Sequence, residues 1–300
     1  MSVANIKIGS DGERVAGIPE SRKHKIRFSA SFIAAVLGVS MILILVLTAV
    51  FAKQLSPYDP AERVGKPFEV PSVAHKLGTN DIGQDILSEL IYGTRVSLTV
   101  GFATAAFAIF LGTSVGLLAG YFRRMDSILM RVVDIILVIP FLPLLIMLAA
   151  YLGRSMINTV IIIGLLIWAG SARVIRSQVL TIAKKEYVVA ARAVGATDRH
   201  IIFRHILPQV TLLAIGQFVL VVSTAILLES ALSFLGLGDP IQKSWGTVLY
   251  WAQVRGAFLT PAWLWWVMPP GLLIVCAALG FALIGFSLEQ RVDPRLKQKR

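Results

Sequence analysis

The chain has little of what usually marks a soluble enzyme. Its 300 residues contain one cysteine, Cys276, so no disulfide within the chain and no thiolate metal cluster can form. Its four histidines, at positions 24, 75, 200 and 205, are scattered, and no H-E-x-x-H pair occurs. His200 and His205 lie five apart, a poor spacing for one face of an α-helix. There is no G-x-x-x-x-G-K-[ST] segment, so the chain has no P-loop to cradle nucleotide phosphates. No cofactor motif, metal-ligand set or converging carboxylate pair is visible. Charged residues are also scarce, at 15% against 56% apolar. That leaves too little polar sequence to cover a soluble core.

What is abundant is uncharged, apolar sequence. A membrane-spanning helix needs about 20 such residues. The runs 32–52, 96–122 and 262–288 exceed or match that length, and 135–152, 156–172 and 210–228 come close to it. The sequence therefore predicts an all-α, polytopic membrane protein with six transmembrane helices. Residues 1–28 do not read as a secretory signal. They are polar over too long a stretch, and the apolar run behind them is long enough to remain as an anchor.

The net charge of +12 is a topology signal and not a nucleic-acid footprint. Lys and Arg gather in "SRKHKIR" (21–27), at Arg123, Arg124 and Arg131, in 184–204 and in the tail. With six spans, all of these fall on one side, the cytoplasm by the positive-inside rule. The 54–94 loop, net acidic through residues such as Asp59, Glu62 and Glu69, then lies outside. The expected organisation is a cytoplasmic segment at 1–28, a first span and extracytoplasmic loop at 29–94, a core at 95–290 and a cytoplasmic tail at 291–300. Both termini are cytoplasmic in a cytoplasmic (inner) membrane.

Local signals refine this outline. Prolines at 57, 60, 67 and 71 prevent regular helix in the first half of the loop. "GTNDIGQD" reads as turns with Asn80 or Asp81 as a helix cap, and a helix starts from Asp85 into the second span. Pro140 and Pro143 are expected to kink the third span. The fifth is expected to open at Pro208, which suits a first helical turn. Tryptophans at 245, 251, 263, 265 and 266 suit a membrane–water interface.

The segment "EYVVAARAVGATDRHIIFRHILPQ" connects the fourth and fifth spans. Residues 186–194 form a short helix with little bulk at Ala190, Ala191 and Ala193. Gly195 breaks it, and Thr197 or Asp198 caps a second helix over 199–206. A small-residue face allows close approach of another protein; the alternative is an amphipathic connector lying on lipid. Asp134 and Glu229 are carboxylates at or within spans, where charge is costly and marks function by default. The competing structural roles are pairing of Asp134 with Arg131 and capping of the fifth span's outer end by Glu229. Arg173 and Arg176 are expected to snorkel to headgroups.

Several segments together resemble the ABC-importer permeases of the dipeptide, oligopeptide and nickel group. Glu186, Ala190, Ala191, Gly195, Leu207 and Pro208 match that family's "E-A-A-x-x-x-G…L-P" loop, in the variant "EYV-x-A-A-R-x-x-G…H-I-L-P" that includes Tyr187. "LSPYDP", "HKLGTNDIGQDILSELIYGTRVSL", "LMRVVDIILVIP", "LLESALSFLGLG", "SWGTVL" and "VDPRL" follow in the family's order. The long loop before the second span resembles the C-type member of a permease pair. The chain departs from the pattern at Asn80, Gln84 and Glu89, where Asp, Arg and Arg are frequent, and in "FALIGFSLEQRVDPRL".

The resemblance implies a type I ABC-importer permease fold and no enzymatic activity of the chain itself. It implies half of a translocation path for peptides or a related solute such as nickel complexes. Implied partners are a homologous permease, two ATP-binding subunits, an extracytoplasmic solute-binding protein and membrane lipid, with no nucleic acid, no metal and no cofactor. The 184–208 loop would be the coupling helix that docks into the ATPase, with contacts from Glu186, Tyr187, Ala190, Ala191, Gly195, Leu207 and Pro208. Asp134 and Glu229 are the candidates for the path or its gate. The "GTNDIGQD" loop would either dock the binding protein or pack on the partner permease.

Overall fold

The structure, a computed structural model, describes residues 30–292. The expectations for 1–28 and for 293–300 of the tail lie outside the described residues. Eleven α-helices follow in order among them. They are α1 (Ala30–Val50), α2 (Ala52–Leu55), α3 (Ile86–Tyr121), α4 (Arg123–Val138), α5 (Phe141–Leu152), α6 (Met156–Ile182), α7 (Glu186–Ala193), α8 (Asp198–Ile201), α9 (Leu207–Phe234), α10 (Trp245–Val254) and α11 (Met268–Val292). Five helical segments are each long and apolar enough to cross a membrane, and a bent pair makes a sixth when counted as one span.

That bent pair corrects the third span. Instead of one kinked helix, α4 and α5 meet at an angle of 89°. Pro140 has no N–H to continue the ladder, and its ring pushes Ile139 into extended backbone, with ψ 135. The fourth span is longer than its apolar run, since α6 continues to Ile182.

α9 opens with Pro208 in its first turn, as expected, but helix also precedes it. Helix continues from Asp198 to Phe234 as one segment of 37 residues. A π-turn at Ile202–Ile206 precedes the proline, with Leu207 N–H donating to Ile202 O. This i→i−5 turn inserts one residue just ahead of the proline, whose ring and missing N–H disturb an ordinary i→i−4 ladder. The same device recurs at Trp263–Val267, ahead of Pro269 and Pro270.

α3 packs along α6 and also against α9, and α6 and α9 touch each other. The close fit to α6 comes from Gly112, Gly116 and Gly120, four residues apart on one helical face. A Cβ on Gly116 would sit 2.6 Å from Ala172 O and 2.8 Å from Ile175 Cβ. α1 lies against α11, and α11 against α9. A core of Ile86, Leu98, Val222, Ile226, Phe281 and neighbours fills the space among α1, α3, α9, α10 and α11. Trp245 and Trp266 are fully buried in it, so they are core residues and not interfacial anchors. Trp251 and Trp263 keep the exposure expected of an interface.

Residues 56–85 form no helix, as their prolines require. They pair with themselves instead: Val64 and Gly65 N–H donate to Gly83 O, Phe68 N–H to Asn80 O, and Thr79 N–H to Glu69 O. α3 is capped by Asp85, not by Asn80 or Asp81; the Asp85 carboxylate accepts the Ser88 N–H at 2.9 Å. The same carboxylate meets His75 Nδ1 at 3.1 Å, which ties the loop to the helix start.

Replacing Gly116 with leucine is expected to force α3 and α6 apart and to cost about 1–3 kcal/mol, the usual range for overpacking. Thermal unfolding of the purified protein in detergent checks this. A melting temperature equal to that of the unaltered chain would show that the two helices are not in close contact.

Candidate functional site

The end of the bundle that carries α7 is built on a small apolar seam. α6 contributes Ile175, Val179 and Ile182, α9 contributes Val210 and Ala214, and the connecting segment contributes Val188, Ile201 and Ile206. Val188 is the only buried residue of α7. Glu186, Tyr187, Ala190 and Gly195 are exposed, and Ala191 is half-buried. The helix thus rests on one valine and turns its small residues outward.

Its far end is fixed by backbone geometry. Gly195 has φ +87, a left-handed conformation that disfavours any side chain. Gly195 N–H donates to Arg192 O at 3.1 Å and Ala196 N–H to Ala191 O at 3.0 Å. This paired closure satisfies the last carbonyls of the helix. Nothing lies within 4 Å of a Cβ built on Gly195, so the surface there is open. Thr197 then caps α8, accepting the His200 N–H at 3.3 Å.

Polar ties bind the same segment to two long helices, α3 and α9. Tyr121, the last residue of α3, donates its hydroxyl to Asp198 at 2.5 Å, and Arg192 lies over its ring at 5.6 Å. Gln209 of α9 donates to the Tyr187 hydroxyl at 2.5 Å and accepts from Lys185 Nζ at 2.9 Å. Leu207 and Pro208 lie inside the continuous α8–α9 segment. The π-turn also corrects the histidine spacing. Residues five apart share a face in such a turn, so His200 and His205 meet with ring centroids 5.6 Å apart.

The two membrane carboxylates occupy unlike settings. Glu229 is 3% exposed. It does not cap the end of α9; it accepts from Ser233 Oγ at 2.7 Å, Ser230 Oγ at 3.4 Å and Ser97 Oγ at 3.5 Å. Ser97 Oγ in turn accepts the Trp245 N–H at 3.2 Å. The carboxylate therefore joins α9 to α3 and α10 through hydroxyls. Asp134 is exposed and pairs with Arg173 at 2.6 Å, not with Arg131. Asp126 binds Arg176 through both oxygens, at 2.5 and 2.7 Å. Arg173 and Arg176 are thus ion-paired across α4 and α6.

At the opposite end of the bundle, Asn80, Gln84 and Glu89 come together. Asn80 Nδ2 donates to Glu89 Oε1 at 2.8 Å and to Gln84 Oε1 at 3.0 Å. Lys243 reaches into this cluster, pairing with Glu89 and donating to Gln84 and to Pro60 O. Sequence reasoning missed Lys243, Tyr121 and Gln209. The only available signal was that three departures from the family pattern fall within ten residues. Among the described residues, no group of three His, Cys, Asp or Glu could hold a metal ion.

The family model of the binding-protein-dependent transport system inner membrane component matches residues 108–298. A dipeptide transport system permease protein, DppC, of Alkalihalophilus pseudofirmus is 38% identical over 266 residues, covering 88% of this chain and 86% of that protein. A di/tripeptide transport system permease protein, DppC, of Pseudomonas aeruginosa is 37% identical over 269 residues, covering 87% and 88%. An oligopeptide transport system permease protein, OppC, of Bacillus subtilis is 33% identical over 279 residues, covering 91% and 89%.

Val188→Ala is expected to loosen α7 while the rest of the bundle stays folded. Loss of two buried methyl groups costs about 1.5 kcal/mol, and the cost falls on a helix held by one apolar anchor. Hydrogen exchange checks this: amides of 188–196 exchange faster, while those of α3 and α6 do not. Unchanged exchange across 188–196 would show that the valine is not the anchor.

Proposed function

The chain belongs to the binding-protein-dependent transport system inner membrane components, the ABC-type permeases, and from that premise we propose that it forms half of a peptide translocation path driven through α7. A second, homologous permease completes the path. Two ATP-binding subunits supply the energy, and a solute-binding protein delivers the peptide on the side of the 56–85 loop. That loop is extracytoplasmic in this reading, and α7 and both termini are cytoplasmic.

The observation that carries the reading is the seating of α7. An exposed helix with small residues at Ala190, Ala191 and Gly195 stands on a core shared with α6 and α9, and it is hooked to α3 through Tyr121. Such a helix can enter a groove on another protein closely. Any displacement imposed on it reaches three spanning helices at once, because packed interfaces shift as units. ATP-driven closure of the ATPase pair then switches the bundle between inward-facing and outward-facing states. Glu186, Tyr187, Leu207 and Pro208 complete the segment as its flanks.

Glu229 is a girder and not a solute contact in this reading, since its oxygens are occupied by serines away from any open surface. The relatives named for dipeptide, di/tripeptide and oligopeptide transport support a peptide as the solute.

Ala190→Arg is expected to abolish capture of the ATPase subunit and peptide uptake while leaving membrane insertion intact. It tests docking more cleanly than a change at Gly195, where the positive φ adds backbone strain of roughly 1–2 kcal/mol for any side chain. Normal capture and normal uptake by Ala190→Arg would contradict docking through α7. Glu229→Gln is expected to slow uptake without changing the order in which peptides compete. A changed order would place Glu229 on the solute.

A further inference from the structure

α6 shows two exposed faces of opposite chemistry. In its first half, Ile157, Ile161 and Leu165 are exposed, spaced four apart. In its second half, Arg173, Ser177 and Thr181 are exposed, and a Cβ on Gly170 would meet nothing within 4 Å. At about 100° per residue the two strips lie on nearly opposite sides of the helix. α4 carries adjacent strips, about 100° apart: Ile128, Val132 and Ile135 are exposed and apolar, while Ser127, Arg131 and Asp134 are exposed and polar, in a line that ends at the exposed Val138. The polar strips of α4 and α6 meet where Asp134 binds Arg173, and Asp126 and Arg176 tie the same two helices beside them.

Lipid suits the apolar strips but not an exposed ion pair between α6, a helix long and apolar enough to span, and α4, one arm of the bent pair. A charge held against a spanning helix faces water or another protein. The two pairs also differ. Asp126–Arg176 is two-pronged, and its side chains are 27% and 29% exposed. Asp134–Arg173 has one contact, and its side chains are 60% and 56% exposed. The first is a closed structural tie. The second leaves one carboxylate oxygen and further guanidinium N–H groups able to take other partners.

We propose that the groove between the polar faces of α4 and α6 is the water-filled inner stretch of the solute path, and that the Asp134–Arg173 pair opens there to receive the two charged ends of a zwitterionic peptide. Asp134 takes the ammonium, and Arg173 takes the carboxylate, which its planar fork matches. A peptide lacking end charges could not replace the bond it breaks. This deepens the reading of the chain as a peptide permease and rests on it.

The test uses the assembled importer in inside-out vesicles, in a Cys276→Ala background, with a charged, impermeant thiol reagent. Ser177→Cys is expected to react about tenfold or more faster than Ile161→Cys, since a thiol facing hydrocarbon is neither ionised nor reached by a charged reagent. Gly170→Cys is the second probe should Ser177→Cys fail to assemble. Dialanine is expected to slow the reaction severalfold, N-acetyl-dialanine amide is not, and Arg173→Gln removes the protection. Reactivity at 177 and 170 as low as at 161 would overturn the groove assignment. Equal protection by the blocked peptide would overturn the exchange of charges. Failure of the unaltered importer to take up any dipeptide, with position 177 still reactive, would instead contradict the peptide reading and leave the hydrated groove in place.

Discussion

The coupling proposed for this chain depends on the apolar seam beneath α7. Val188, Ile201 and Ile206 pack there against Ile175, Val179 and Ile182 of α6 and Val210 of α9. Most of α7 is exposed, and an isolated helix of eight residues is not stable in water. Its shape therefore comes from the seam, from the closure at Gly195 and from the bonds to Tyr121 and Gln209. Those same contacts make it part of the bundle. In the proposed coupling, stability of the connector and transmission through it are one property.

Proline placement serves the same end. Pro208 and Pro269 stand where a helix enters its spanning stretch, and each is preceded by a π-turn. The helix thereby passes the proline without breaking, so α8 and α9 stay one body. The turn also rotates the preceding residues, which brings His205 toward His200 and Tyr187. Pro140 has no such turn, and there the chain breaks by 89° between α4 and α5. One residue type gives continuity in two places and a corner in a third, according to the backbone ahead of it.

The sequence carried much of this plan and concealed a definite part. Apolar run length located the spanning stretches, and the prolines of 57–71 foretold a loop without helix. Gly195 was legible as a stop because glycine alone adopts its positive φ without cost. The π-turns were not legible, since no side chain marks them and periodicity assumes an unbroken 3.6-residue repeat. Long-range pairing was hidden too. Arg131 is three residues from Asp134, yet Arg173 binds it from another helix. Lys243 completes a cluster 154 positions away from Glu89. Trp245 and Trp266 were misplaced because tryptophan suits both an interface and a core, and only packing decides between them.

The central claim is that α7 and the inner ends of α3, α6 and α9 move as one body when the ATPases close. Spin labels at Ala193 and Thr181 report within that body, and labels at Thr181 and the equivalent position of the partner permease report across the path. Distances measured by pulsed electron resonance with and without a non-hydrolysable ATP analogue test the claim directly. The account requires the Ala193–Thr181 distance to stay constant while the distance across the path changes. A shift between Ala193 and Thr181 with no change across the path would contradict it, because α7 would then move without carrying the bundle.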